Sequence, residues 1–193
     1  MSRLDQLTKH LRPGRVYRRE DLAQWSKSVD RHARELLDQG VLTKLRNGLY
    51  YCPENSVFGQ VPPDDAELVR SFLREDEFLL TSFNAYNALG VGTTQLYNQS
   101  IVYNHKRHGV FNLGGRVFEF RRKPRFPKKL TQEFLVVDLL NNLQELAEDE
   151  QEVKTGALRK LQDLSATTMR RAARLYGKVS TRKLVEQALL DAA

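Results

Sequence analysis

The chain has 193 residues, a formal net charge of +7 and a pI near 9.6; that length can bury one sizeable core or two small ones, and the surplus of cations favours an anionic partner. A lone cysteine, Cys52, excludes an intramolecular disulfide and a cysteine-rich zinc site, in keeping with a reducing cytosol. No apolar run approaches about 20 residues and the first residues carry no signal-peptide core, so neither a membrane span nor export is expected and the protein reads as cytoplasmic.

Leu4, Leu7 and Leu11 recur at helical spacing, with Ser2 placed to cap a first helix and Pro13-Gly14 to stop it. Val16 and Tyr17 read as a short strand, and residues 20–26 as a helix whose Leu22, Ala23 and Trp25 supply inward bulk. A third helix is expected to begin at Ser28, whose hydroxyl can accept from a free backbone N–H, and to end at Gly40, which tolerates the left-handed conformation. Val29, Ala33, Leu36 and Leu37 give it one apolar stripe, and the other face carries Asp30, Arg31, Arg34, Glu35 and Asp38. Residues 42–46 lead into Asn47-Gly48, the pair suited to a type I′ turn, and residues 49–51 return. Helix, turn, helix and hairpin in this order predict a winged helix-turn-helix that reads DNA. Lys27, Lys44 and Arg46 are then candidate phosphate contacts, and Arg31 and Arg34 candidate contacts to base edges.

The turn-rich stretch at residues 53–65 predicts a linker between a DNA-binding domain at 1–52 and a second domain at 66–193. In the second part, residues 66–74 read as a helix through Leu68, Val69, Phe72 and Leu73. A shorter helix follows, with Ser82 as cap and Gly90 as stop. Residues 101–103, 109–113 and 117–120 read as strands, the last two joined at Gly114-Gly115, and the chain is helical from Thr131 onward. The expected class is α+β: a winged helix-turn-helix, then a small antiparallel sheet and C-terminal helices. Charge is segregated in those helices. Residues 131–152 hold seven acids and no Lys or Arg, whereas 153–183 hold nine bases and one acid, Asp163. Either facing helices neutralise each other, or a basic groove forms around Arg170, Arg171, Arg174, Lys178, Arg182 and Lys183.

Catalysis finds no seat. Gly90-Val-Gly92 lacks the GK[ST] ending of a phosphate-binding loop and reads as a tight turn, and no G-x-S-x-G elbow is present. His105 and His108 lack further ligands and are separated by Lys106 and Arg107, which oppose a metal cation. Asp64-Asp65 reads as a helix start and Glu148-Asp149-Glu150 as solvated surface, so no metal, cofactor or enzymatic activity is expected. The bases of the strand region interleave with Phe111, Phe118, Phe120 and Phe126. One reading is a half-buried sheet with aromatics inward. The other is a nucleic-acid face extended by Lys106, Arg107, Arg121, Arg122 and Lys123.

The segment ending in NGLYYCP, the block LLTSFNAYNALGVGTTQLYN after LVRSFL, and then YNHKRHG together resemble the AbiEi family of abortive-infection antitoxins, over roughly residues 12–150. The resemblance implies a type IV toxin–antitoxin system of phage defence. In it, a winged domain represses its own operon at inverted repeats in the promoter, and a C-terminal domain counters a nucleotidyltransferase-like toxin, with or without a stable complex. It implies no catalytic residues. Double-stranded DNA would be met by Lys27, Ser28, Arg31, His32 and Arg34 on the recognition helix and by Lys44, Arg46 and Asn47 on the wing. A second reading is a winged-helix regulator whose second domain senses a small molecule or binds RNA. A nucleotidyltransferase-like reading frame beside the gene would favour the first.

Overall fold

The structure is a computed structural model that describes residues 3–191, so the expected cap at Ser2 lies outside the described residues. The fold is mixed α+β, with small antiparallel sheets and a helical C-terminal part. The chain forms two compact units, Met1–Asp76 with Val110–Phe118, and Glu77–Gly109 with Glu119–Ala193.

The first unit opens with α1 (Arg3–His10), β1 (Val16–Arg18), α2 (Arg19–Ala23) and α3 (Val29–Asp38), followed by the hairpin β2 (Thr43–Arg46) and β3 (Leu49–Tyr51). Strand order is β1-β3-β2, all antiparallel, with Val16 opposite Tyr51 and Arg18 opposite Leu49. The apolar stripe read from the sequence is the core: Leu7, Leu22, Val29, Ala33, Leu36 and Leu42 are buried with Tyr17 and Cys52. Gly40 ends α3 with φ +71, and Val41 N donates to Leu36 O at 2.9 Å, so the helix closes where expected. Three local expectations change. Ala23 is exposed. Ser28 makes no side-chain cap; Ser26 Oγ instead accepts from Ser28 N at 3.2 Å. Only Gly48 of the Asn47-Gly48 pair has positive φ, and β2 bulges between Lys44 and Arg46, so the turn is not type I′.

The stretch expected as a linker carries a hairpin, β4 (Glu54–Ser56) and β5 (Gly59–Val61), tied back by Tyr51 OH donating to Val61 O at 2.7 Å. Then comes α4 (Asp65–Leu73), whose N-cap Asp64 accepts from Glu67 N at 2.9 Å. It closes on Arg74, at φ +58 a left-handed residue that is not glycine.

In the second unit, β6 (Phe78–Thr81) pairs antiparallel with β7 (Gln99–Asn104), and a 3₁₀ helix, Phe83–Leu89, lies between them in sequence. Ser82 precedes that helix but makes no side-chain cap. With β8 (Gly109–Leu113) and β9 (Arg116–Arg122) the sheet order is β6-β7-β9-β8, the residues of the β8–β9 turn belonging to the first unit. Helix α5 (Gln132–Asn141), capped by Thr131 Oγ1 on Phe134 N, is buried along 134–141, Asp138 included. It is the axis on which α6 (Glu150–Leu161), α7 (Ala166–Tyr176) and α8 (Val179–Asp191) assemble, through Val136, Val137, Leu139, Leu161, Met169 and Val185.

The Gly-Val-Gly loop serves this packing. A Cβ on Gly156 of α6 would stand 2.7 Å from the carbonyl oxygen of Val91, so the loop backbone lies directly on the helix. Gly156→Ala is therefore expected to lower stability by about 1–3 kcal/mol, the usual cost of forcing an atom into a packed contact. Urea melts would read it, and an unchanged midpoint would mean the loop yields without strain.

Candidate nucleic-acid interface

In the first unit Lys27, Arg31 and Arg34 are exposed beside or along α3, and Lys44, Arg46 and Asn47 are exposed on the β2–β3 hairpin. Their charge is not all unopposed. Arg31 Nε lies 3.6 Å from Glu35 Oε1, and Asp30 is clamped by Arg19, whose Nε and NH2 donate at 2.7 and 2.6 Å. That pair neutralises the acid of the first turn of α3. His32 departs from its expected role: it is 3% exposed and shares a 2.7 Å hydrogen bond from Nδ1 with Ser26 Oγ, while Arg31 NH2 lies 3.3 Å from its Nε2. It fixes the turn before α3 and steadies Arg31 from beneath. Ser28 is half-buried.

The hairpin is held by residues far along the chain, which local sequence could not reveal. The Arg46 guanidinium carbon lies 5.4 and 4.9 Å from the ring centres of Phe72 and Phe111, and Gly114 N donates to Leu45 O at 3.1 Å. The two rings pack on each other with centres 5.0 Å apart, and the cation lies over this adjoining pair, restrained while staying exposed on its outer edge.

In the second unit the basic strand residues divide. Lys106, Arg107 and Arg122 are exposed. Arg121 is 8% exposed and tied to Glu119 at 2.8 Å, to Glu145 at 2.5 Å and to Asn142 Oδ1 at 3.2 Å, so it is a structural cation and cannot belong to the extended face. Burial works against its charge, but the two carboxylates hold its pKa above the ordinary arginine value. Lys123 is half-buried, its ammonium 5.2 Å from the Tyr103 ring centre, and burial lowers its pKa. The YNHKRHG segment is a turn built by Asn104, whose Oδ1 accepts from Lys106 N and Arg107 N while Nδ2 donates to Val102 O and Arg107 O. His105 stacks on Phe126 and its Nδ1 lies 2.9 Å from Lys123 O.

Sequence reasoning missed a buried polar network at the centre of this unit. Tyr86 OH and Tyr103 OH donate to the Asp138 carboxylate at 2.8 Å, and Asn142 Nδ2 donates to Tyr86 OH at 3.0 Å. Burial raises the Asp138 pKa, against the pull of both tyrosines, Lys123 and Arg121. The polar residues of the TSFNAYN block have the same structural character. Asn84 exchanges hydrogen bonds with the backbone of Tyr97, and Glu148 accepts from Thr94 N, Gln95 N and Tyr97 OH. An asparagine at a helix start facing an aromatic a dozen residues on was the available signal.

Among the described residues no three or more His, Cys, Asp or Glu come together to hold a metal ion, and no helix is long and apolar enough to cross a membrane. Asp64 and Asp149 cap α4 and α6. No family model matches the chain, and no curated protein matches it. Among solved structures it is similar to the crystal structure of RV2827C protein from Mycobacterium tuberculosis, with 18% identity and a TM-score of 0.57 over 98% of this chain and 75% of that one. That likeness is one of fold.

Proposed function

We propose that residues 1–52 form a winged helix-turn-helix that binds duplex DNA, and that the protein is an AbiEi-type antitoxin repressing its own operon. The observation that carries this reading is the pairing of two exposed basic elements in one unit: α3 with Arg31 and Arg34, and the β2–β3 hairpin with Lys44 and Arg46. The hairpin is the wing. A helix with its N-terminal residues toward base edges and a flanking wing on phosphates is a recurrent way to read a major groove. Lys106, Arg107 and Arg122 of the second unit are exposed cations that can meet phosphates in their own right.

The second unit, in this reading, counters a nucleotidyltransferase-like toxin, and its buried Asp138 network supports structure and not catalysis. Footprinting of the DNA upstream of the gene with the full chain tests the proposal. Protection of an inverted repeat is expected, weakening as salt rises; an unprotected upstream region at low salt would remove the basis for it.

A further inference from the structure

We propose that the groove between α7 and α8 binds the phosphodiester backbone of a nucleic-acid strand, as a site separate from the α3 surface. It has a volume of about 570 Å³ and is lined by Arg170, Arg171 and Arg174 of α7 and by Arg182 and Lys183 of α8, with Glu186 as its one carboxylate among the described residues. Arg170 Nε lies 3.2 Å from both oxygens of Glu186, so that acid is taken up by one of the five cations. Ala173 and Val185, both buried, form an apolar floor.

The acids of residues 131–152 do not neutralise the groove. Asp138 accepts from the two tyrosines, Glu145 pairs with Arg121, and Glu148 holds loop N–H groups. Asp149 caps α6 and Glu133 accepts from Thr168. Among the described residues none of the seven forms an ion pair with a groove cation. Like charges on neighbouring turns destabilise the helices that bear them, and an anion entering the groove reverses that effect.

The junction is built for close approach. A Cβ on Gly177 would stand 2.6 Å from Ala173 O and 3.2 Å from Arg182 Cγ, and Arg182 Nε donates to Gly177 O at 2.9 Å. A concave cationic surface over an apolar floor focuses its field, and guanidinium forks match phosphate oxygens two at a time. The lining holds no aromatic ring, so bases have no stacking platform and recognition rests on the backbone, independent of sequence.

The test uses the full chain and fluorescence anisotropy with labelled oligo(dT) and oligo(rU) across a salt series. Arg171→Gln with Arg174→Gln and Lys183→Gln should weaken binding about tenfold or more and reduce the salt slope by about 2, at ~0.7 for each of three strand phosphates. Equal loss for both strands assigns the backbone alone; loss for one assigns that nucleic acid as the occupant. Wild-type affinity and slope in the triple variant would overturn the proposal. So would competition by poly-glutamate as effective as by the strand, which would point to an acidic protein segment. Should the triple variant misfold by circular dichroism, Arg174→Gln alone is expected to lose about threefold, and no loss there overturns the site equally. The triple variant should keep the selective protection of the upstream duplex that Arg31→Gln with Arg34→Gln loses, which separates a failure here from a failure of promoter recognition.

Discussion

Replacing Arg31 and Arg34 together with glutamine is expected to abolish selective protection of the upstream DNA while leaving weak, salt-sensitive binding to unrelated duplex. Both side chains are exposed on α3, and Arg31 is steadied by His32 and Glu35. A good bidentate contact to a base edge discriminates by about 1–3 kcal/mol, so losing two removes roughly 2–6 kcal/mol of preference. The β2–β3 hairpin should behave differently. Lys44→Gln with Arg46→Gln should flatten the salt slope by about 0.9 for each phosphate no longer neutralised, and leave the preferred sequence as it was. Gel shifts on matched and scrambled duplexes at several salt concentrations distinguish the two classes. If the α3 variant keeps wild-type selectivity, α3 is not the reading helix.

Asp138→Ala is expected to be the most damaging single substitution considered for folding, costing on the order of 3–5 kcal/mol in urea melts. It strips Tyr86 and Tyr103 of their acceptor in a buried site, where each unsatisfied polar group costs about 1–3 kcal/mol, and it opens a cavity. The pH dependence has an uncommon sign for an aspartate. Burial raises the folded-state pKa above the ordinary 3.8, so the folded protein holds this proton more tightly than the unfolded chain does. The group therefore carries no penalty below its unfolded pKa, and stability is lost as pH rises from there through the folded pKa. Asp138→Asn cannot titrate. The wild type should accordingly lose ground to the Asn variant as pH climbs from below 3.8, and gain of ground over that range would sink this account.

Much of the first unit could be read from local pattern, because its determinants are local. The stripe of α3, the Gly40 stop and the Asp64 cap each involve residues within a turn or two of one another. The errors lie where two residues compete or where the partner is remote. Ser26 and Ser28 both suit the approach to α3, and the 2.7 Å bond to His32 marks Ser26 as the one engaged. Arg121 follows the buried Phe120 and by strand alternation should face outward. It is buried because Glu145, in a segment far along the chain, reaches it. The β4–β5 hairpin escaped notice because its polar, glycine-containing residues look like linker composition. Of the candidate site, the exposed cations of α3 and its hairpin were legible, whereas the burial of His32 and the aromatic clasp on Arg46 depend on the folded chain.

That clasp has a bearing on synthesis. A ribosome delivers α3 and the β2–β3 hairpin well before Phe111, yet the first unit is complete only with Val110–Phe118. Until that stretch leaves the exit tunnel, the nascent β2–β3 hairpin lacks the second ring beside Arg46 and the donor to Leu45 O, and the start of α4 lacks the Arg116 side chain that donates to Pro63 O and pairs with Asp65. Residues 77–109 must emerge in the interval without being discarded or misfolding, so the two units mature interleaved and not one after the other. No single cut in the chain can release the first unit whole, and a nascent chain stalled after residue 76 would carry Arg46 beside Phe72 but without Phe111.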